Sequence, residues 1–144
     1  MTQIAATFEY MKKHPQPSSL NERDLRDLES EYGVKFPPPF VALSQFAHPQ
    51  VVFPSCPNHT EARELFAELL SCSTSDLPAF AWIIDVHDQG YAVHYFLADS
   101  KDENPQVWEY TEGDDAPCMA PWRLDSYITA GVSRLVFGAD VMSN

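Results

Sequence analysis

Glycine is scarce in this chain, with five in 144 residues. That leaves little material for a phosphate-cradling loop, and neither the glycine-patterned nucleotide signatures nor G-x-S-x-G nor H-E-x-x-H is present. Basic residues are also few: nine Lys or Arg stand against 21 Asp or Glu, for a net charge of −12. Phosphate backbones and anionic membranes repel such a surface, so nucleic acid and lipid are poor partners, whereas a basic protein is attracted. The same charge also serves solubility. Cys56, Cys72 and Cys118 are an odd number at irregular spacing, which fits reduced thiols in a cytoplasmic protein better than a disulfide framework. No apolar run approaches the roughly 20 residues that span a bilayer. The opening MTQIAATFEYMKKH puts Lys12 and Lys13 after its apolar part, the reverse of a secretory leader, and reads as part of the fold.

What is present suffices for a core. Hydrophobic residues make up 44% and aromatics 12%, and a chain of this size fits one domain that buries roughly 68–70% of its unfolded surface. Proline is plentiful at twelve, and the run Pro37-Pro38-Pro39 lies between two amphipathic segments. The spacing predicts a first helix over 2–14 with Ile4, Phe8 and Met11 on one face. Ser19 and Glu22 form a capping-box pattern opening a second helix, with Leu25, Leu28 and Tyr32 as its stripe and Gly33 at its end. The prolines then force an extended entry, Pro39 starts a new helix, and Phe40, Leu43 and Phe46 form its inner face. Residues 48–59 read as an irregular loop. Thr60 caps a further helix with Ala62, Leu65, Phe66 and Leu69 inward, closing near a buried or half-buried Cys72.

The period then changes from 3.6 to 2. Phe80, Trp82, Ile84 and Val86 alternate with Ala81, Ile83 and Asp85, and Tyr91, Val93, Tyr95 and Leu97 repeat the pattern after the turn at HDQG. PQVWEY is a third strand, TEGDDAPCMAP an acidic loop, and WRLDSYITAGVSRLVFG a closing helix that uses Leu124, Tyr127, Ile128, Leu135 and Val136 and is weakened by Gly131. Helices, a meander and a helix make an α+β domain with an antiparallel sheet of about four strands.

The stretch DLRDLESEYGVKFPPPFVALSQFA resembles the opening signature of the SUKH superfamily, with Leu25, Leu28, Glu29, Gly33, Phe36, Pro37, Phe40 and Leu43 at matching places. WIIDVHDQGYAVHYFLAD looks like that group's central hairpin, PQVWEYTEGDD like its next strand and LDSYITAGVSRLV like its closing helix, so the resemblance covers most of residues 20–137, leaving out the helix at 60–72. HPQ replaces the family's asparagine-glycine loop, and Asp88-Gln89-Gly90 its glycine-rich turn. The superfamily contains bacterial immunity proteins and a fungal regulator of cell-wall synthesis. The resemblance therefore implies a toxin-neutralising protein acting by steric occlusion; the acidic charge suits a basic partner, such as a nuclease domain.

Two groups of residues could carry chemistry or contacts. Asp85, His87, Asp88 and His94 flank the hairpin turn, and a matched register brings His94 to the side of Asp85 and His87. Convergence of that kind makes a metal or acid–base site, against the plainer reading of a solvated hairpin end. Trp108, Glu109, Glu112, Asp114 and Asp115 combine an aromatic anchor, or Tyr110 in its place, with charges that steer association. Cys56 and His59 form a lone C-x-x-H without a second pair at zinc-finger spacing. The reading is a non-enzymatic binding protein with no metal or cofactor and a partner surface at Asp85, His87, Asp88, Trp108, Glu109, Glu112, Asp114 and Asp115. Its alternatives are a scaffold module binding several cellular proteins, and a small metal-binding protein or enzyme built on Asp85, His87 and His94.

Overall fold

Where each helix begins is decided by what already holds the preceding backbone. In the computed structural model, which describes residues 2–138, α1 (Gln3–Lys13) is capped by Thr2, whose hydroxyl accepts from the Ala5 N–H. Helix α2 (Glu22–Tyr32) starts at Asn21 and not at Ser19: the Asn21 side chain accepts from the Asp24 N–H at 2.8 Å, and the Asp24 carboxylate accepts from the Asn21 N–H at 3.1 Å. The Leu20 N–H donates to Ser44 O at 2.7 Å, which ties residue 20 across to the next helix and leaves the later box as the usable one. Gly33 ends α2 at φ 65°, in the left-handed region.

The three prolines form an elbow. Pro37 is the N-cap and Pro38 the first residue of α3 (Pro38–Phe46), one proline earlier than expected. The Glu29 carboxylate accepts from the Phe36 N–H at 2.7 Å, and the Lys35 N–H donates to Ala98 O at 2.9 Å, so the elbow is tied to α2 and to the sheet. The expected loop at 48–59 contains a one-turn helix, α4 (Pro49–Val52). Asn58, not Thr60, caps α5 (His59–Leu70), its side chain accepting from the Glu61 N–H.

The meander comprises β1 (Ala81–His87), a 3₁₀ turn at Asp88–Gly90, β2 (Ala92–Leu97), β3 (Gln106–Thr111) and β4 (Cys118–Arg123), paired antiparallel in that order. Helix α6 (Leu124–Phe137) follows directly. This is a single-domain α+β fold with six helices among the described residues. Strand β4 occupies the end of the expected acidic loop; Pro121 is tolerated there because β4 is a sheet edge. One core cluster joins the sheet to α1, α2, α3 and α6, and a second lies between the sheet and α5.

Strand β1 does not keep its alternation. Pairing passes from Ile83↔Tyr95 to Asp85↔His94, leaving Ile84 as a bulge. Trp82 and Ile84 face the larger core, and after the bulge Asp85 and His87 face that same side, where both reach Tyr127 of α6. Val86, expected beside Trp82 and Ile84, joins Ala81 and Ile83 on the α5 side. Phe80 precedes the strand and is exposed.

Helix α6 buries Leu124, Tyr127 and Ile128, whereas Leu135, expected inward, is exposed. Gly131 is a packing position: a Cβ there would lie 2.5 Å from Cζ of Phe53. Gly131→Ala is expected to destabilise the fold by about 1–3 kcal/mol through overpacking, more than offsetting the gain of about 1 kcal/mol in helix propensity. Urea denaturation decides it, and an unchanged or raised midpoint would contradict this packing.

Candidate functional site

The bulge in β1, the register of β2 and the first turns of α6 bring five polar side chains together. The Tyr127 hydroxyl donates to Asp85 Oδ2 at 3.0 Å and lies 2.9 Å from both His87 Nε2 and His94 Nδ1. His87 Nε2 is also 3.2 Å from Asp85 Oδ2. On its far side, His94 Nε2 meets Glu109 Oε2 at 3.1 Å. The other carboxylate oxygen of Asp85 accepts from the Val86 N–H at 2.9 Å. The Trp122 ring packs near His94 and Tyr127, and Phe53 stacks on Tyr127. A cleft of about 380 Å³ opens over the network, lined also by Ser55, Trp122 and Arg134.

Counting protons shows what this arrangement does. With Tyr127 donating to Asp85, His87 and His94 each turn an N–H toward the phenol oxygen. His94 Nε2 and Glu109 then share room for one further proton. Burial lowers the His94 pKa below its ordinary value, and the hydrogen bond to Glu109 works in the opposite direction. Burial and the Asp85 charge push the Tyr127 pKa up, so the phenol keeps its proton. No family model, curated protein or solved structure matches this chain. The site must be read from its own chemistry, and that chemistry is a set of polar atoms engaged mainly with one another.

The expected partner residues separate into four places. Asp85 is only 6% exposed, with both carboxylate oxygens engaged inside, so it lies within the protein and not on its outer surface. His87 and Glu109 are half-exposed at the edges of the same network. Trp108 lies on the opposite face of the sheet, half-buried against the smaller core, and Tyr110, the alternative anchor, is fully buried there. Asp88 stands at the β1–β2 turn, and Glu112, Asp114 and Asp115 at the β3–β4 turn, all exposed.

Those two turns lie side by side. The Glu112 N–H donates to Tyr91 O at 2.8 Å, the Tyr110 hydroxyl donates to Asp114 O at 2.8 Å, and the Ser75 hydroxyl donates to Asp115 O at 2.9 Å. Asp76, Asp88, Glu112, Asp114 and Asp115 thus share one end of the sheet with the exposed ring of Tyr91. Lys101 is the only Lys or Arg between Arg63 and Arg123. It belongs to the β2–β3 connection, which in an antiparallel meander lies at the opposite end.

Sequence reasoning missed Tyr127 as the hub, and with it Trp122 and Arg134. The available signal was a hydroxyl within an otherwise aliphatic buried stripe. The C-x-x-H pair is not a site: the Cys56 thiol donates to Ile83 O and burial pushes its pKa up to about 12, while His59 stacks on Trp82. Cys72, expected buried or half-buried, is exposed. Among the described residues no group of three or more His, Cys, Asp or Glu could hold a metal ion, and no helix is long and apolar enough to cross a membrane.

Proposed function

We propose that this chain is a non-enzymatic, cytoplasmic protein-binding domain that neutralises a basic toxin domain by covering its active surface. One observation carries the reading: the acidic end of the sheet adjoins a sheet face that no helix fully covers. Helix α5 packs on β1, while on β3 and β4 Trp108 and its cross-strand neighbour Met119 share that face, and Met119 is 64% exposed. An apolar centre beside carboxylates suits a partner that presents basic groups around an apolar contact. The resemblance to SUKH immunity proteins supports the same role, because the helix–elbow–helix, meander and closing helix follow the order that resemblance implies. Within the Tyr127 network the phenol stays protonated and Asp85 has both oxygens engaged, so little there is free to act on a substrate.

The test is affinity capture from the native organism at low and moderate salt, followed by the double variant Asp114→Lys/Asp115→Lys. One stoichiometric basic partner, toxic when expressed alone and released as salt rises, is expected. Charge reversal should weaken its binding about tenfold, equivalent to ~1.4 kcal/mol, and leave the thermal midpoint unchanged. Binding indifferent to both salt and charge reversal, or no partner at either salt, would refute the proposal. Several weak partners would favour the scaffold role instead.

A further inference from the structure

Helices α3 and α6 share one core with the sheet, and α1 packs on those two helices from outside. Trp108 and Met119 belong to the other face of the sheet, so α1 lies on the side of the domain away from the proposed partner surface. Two apolar grooves flank α1. The one toward α3 is lined by Phe8, Met11, Pro15 and Ala42, and the one toward α6 by Ala6, Tyr10, Val132 and Phe137. Phe137 is 66% exposed, its ring 5.9 Å from that of Tyr10. Between the grooves the outward ridge of α1 is Ala5, Ala6, Glu9, Lys12 and Lys13, all exposed.

The charge of this layer sets it apart. Helix α3 has no charged residue, and α1 and α6 carry only Glu9, Lys12, Lys13, Asp125 and Arg134, two acidic against three basic. The whole chain stands at −12, so the excess of carboxylates lies outside these three helices. Two copies meeting by their other surfaces bring like charges together, whereas meeting by this layer avoids that repulsion. A foreign basic partner is drawn instead to the acidic end of the sheet. Glu9 precedes Lys12 and Lys13 by three and four residues, so all three share one helical face. That order is complementary to itself: a second α1 laid antiparallel puts Glu9 of each copy beside the lysines of the other. In an isologous contact every such pair is made twice.

We infer that this face is where two copies of the chain associate, α1 against α1 about a twofold axis, with the apolar grooves covered by the second copy. The Trp108 and Met119 faces stay outward in such a pair. Its salt dependence has the opposite sign to that of the basic partner: salt screens the repulsion between two chains of charge −12, so self-association strengthens as salt rises.

Sedimentation equilibrium of the full chain at low and moderate salt tests this. A reversible monomer–dimer equilibrium is expected, with a dissociation constant of about 10–100 µM, in keeping with a contact at the small end of the interface range, and tighter at the higher salt. Ala6→Glu puts a carboxylate into the centre of the contact and should leave the chain monomeric with an unchanged thermal midpoint. Glu9→Lys should weaken the dimer about fivefold, through the loss of two exposed ion pairs. Glu9→Lys/Lys12→Glu keeps the net charge and the self-complementary order, and should restore it. If Ala6→Glu fails to fold, the Glu9 and Lys12 variants still decide. A chain monomeric throughout, a dimer that weakens with salt, or a dimer broken by Met119→Glu but indifferent to the α1 variants would each overturn the proposal.

Discussion

Tyr127→Phe is expected to lower the unfolding free energy by about 2–3 kcal/mol, although it removes a single oxygen and leaves the ring against Phe53. The magnitude follows from what that oxygen serves. Asp85 loses the donor to Oδ2 while 6% exposed, and His94 Nδ1 loses its partner in a buried position. A buried charge left short of a donor costs more than the net value of the bond itself. Asp85→Asn in the same background should recover part of the loss, because it removes the charge; urea denaturation of the two single variants and the double measures that coupling. A Tyr127→Phe variant within about 0.5 kcal/mol of the unaltered chain would show that the hydroxyl does not hold the network together.

The same network gives stability a pH dependence of known sign. The folded pKa of His94 lies below its ordinary 6.5, mainly through burial. Below 6.5 the unfolded chain takes up a proton that the folded chain resists, so unfolding gains. His94 thus imposes no cost above 6.5, and stability is lost as pH falls from 6.5 toward the folded value. His94→Gln should flatten the slope of the urea midpoint over that window, relative to the unaltered chain.

Trp82→Ala carries the largest expected loss, about 3–5 kcal/mol. Trp82 is where four elements meet. Its indole contacts Tyr32 of α2 edge-on at 5.7 Å, Phe36 of the proline elbow at 4.7 Å, Phe40 of α3 at 5.9 Å and His59 of α5 face to face. Truncation leaves a void that no single neighbour can collapse into, since each belongs to a separate helix or to the tied elbow. Trp82→Phe, which keeps most of the buried surface, should recover most of the stability. Equal losses for the two variants would mean that the indole edge matters more than the volume it fills.

Much of the fold could be read from local patterns. The stripe Leu25, Leu28 and Tyr32, the stop at Gly33, the prolines as an elbow and the two matched strands are all present, because period, capping and the missing proline N–H act within a few residues. The start of α2 moved from Ser19 to Asn21, where Ser44 holds Leu20, while α3 and α5 begin one and two residues early at the local caps Pro37 and Asn58. Strand β4 was hidden because CMAPWR contains a proline and no alternation; it becomes a strand by pairing with β3.

The site was less legible for the same reason. Asp85, His87 and His94 could be grouped from the hairpin register, but Asp85 turns inward because Ile84 bulges, and nothing in WIIDV marks that residue as the extra one. Tyr127 becomes a hub only because α6 crosses the sheet at that height, 42 residues along the chain from Asp85. By itself the sequence determined the class of fold, the order of its elements, the rigid elbow and the negative charge of the surface, each the product of composition or of short-range sterics. Only the tertiary structure decided which carboxylates face solvent, which stand beside histidines, and that Tyr127 joins them. Those outcomes depend on contacts between residues far apart in the chain, and no local period records them.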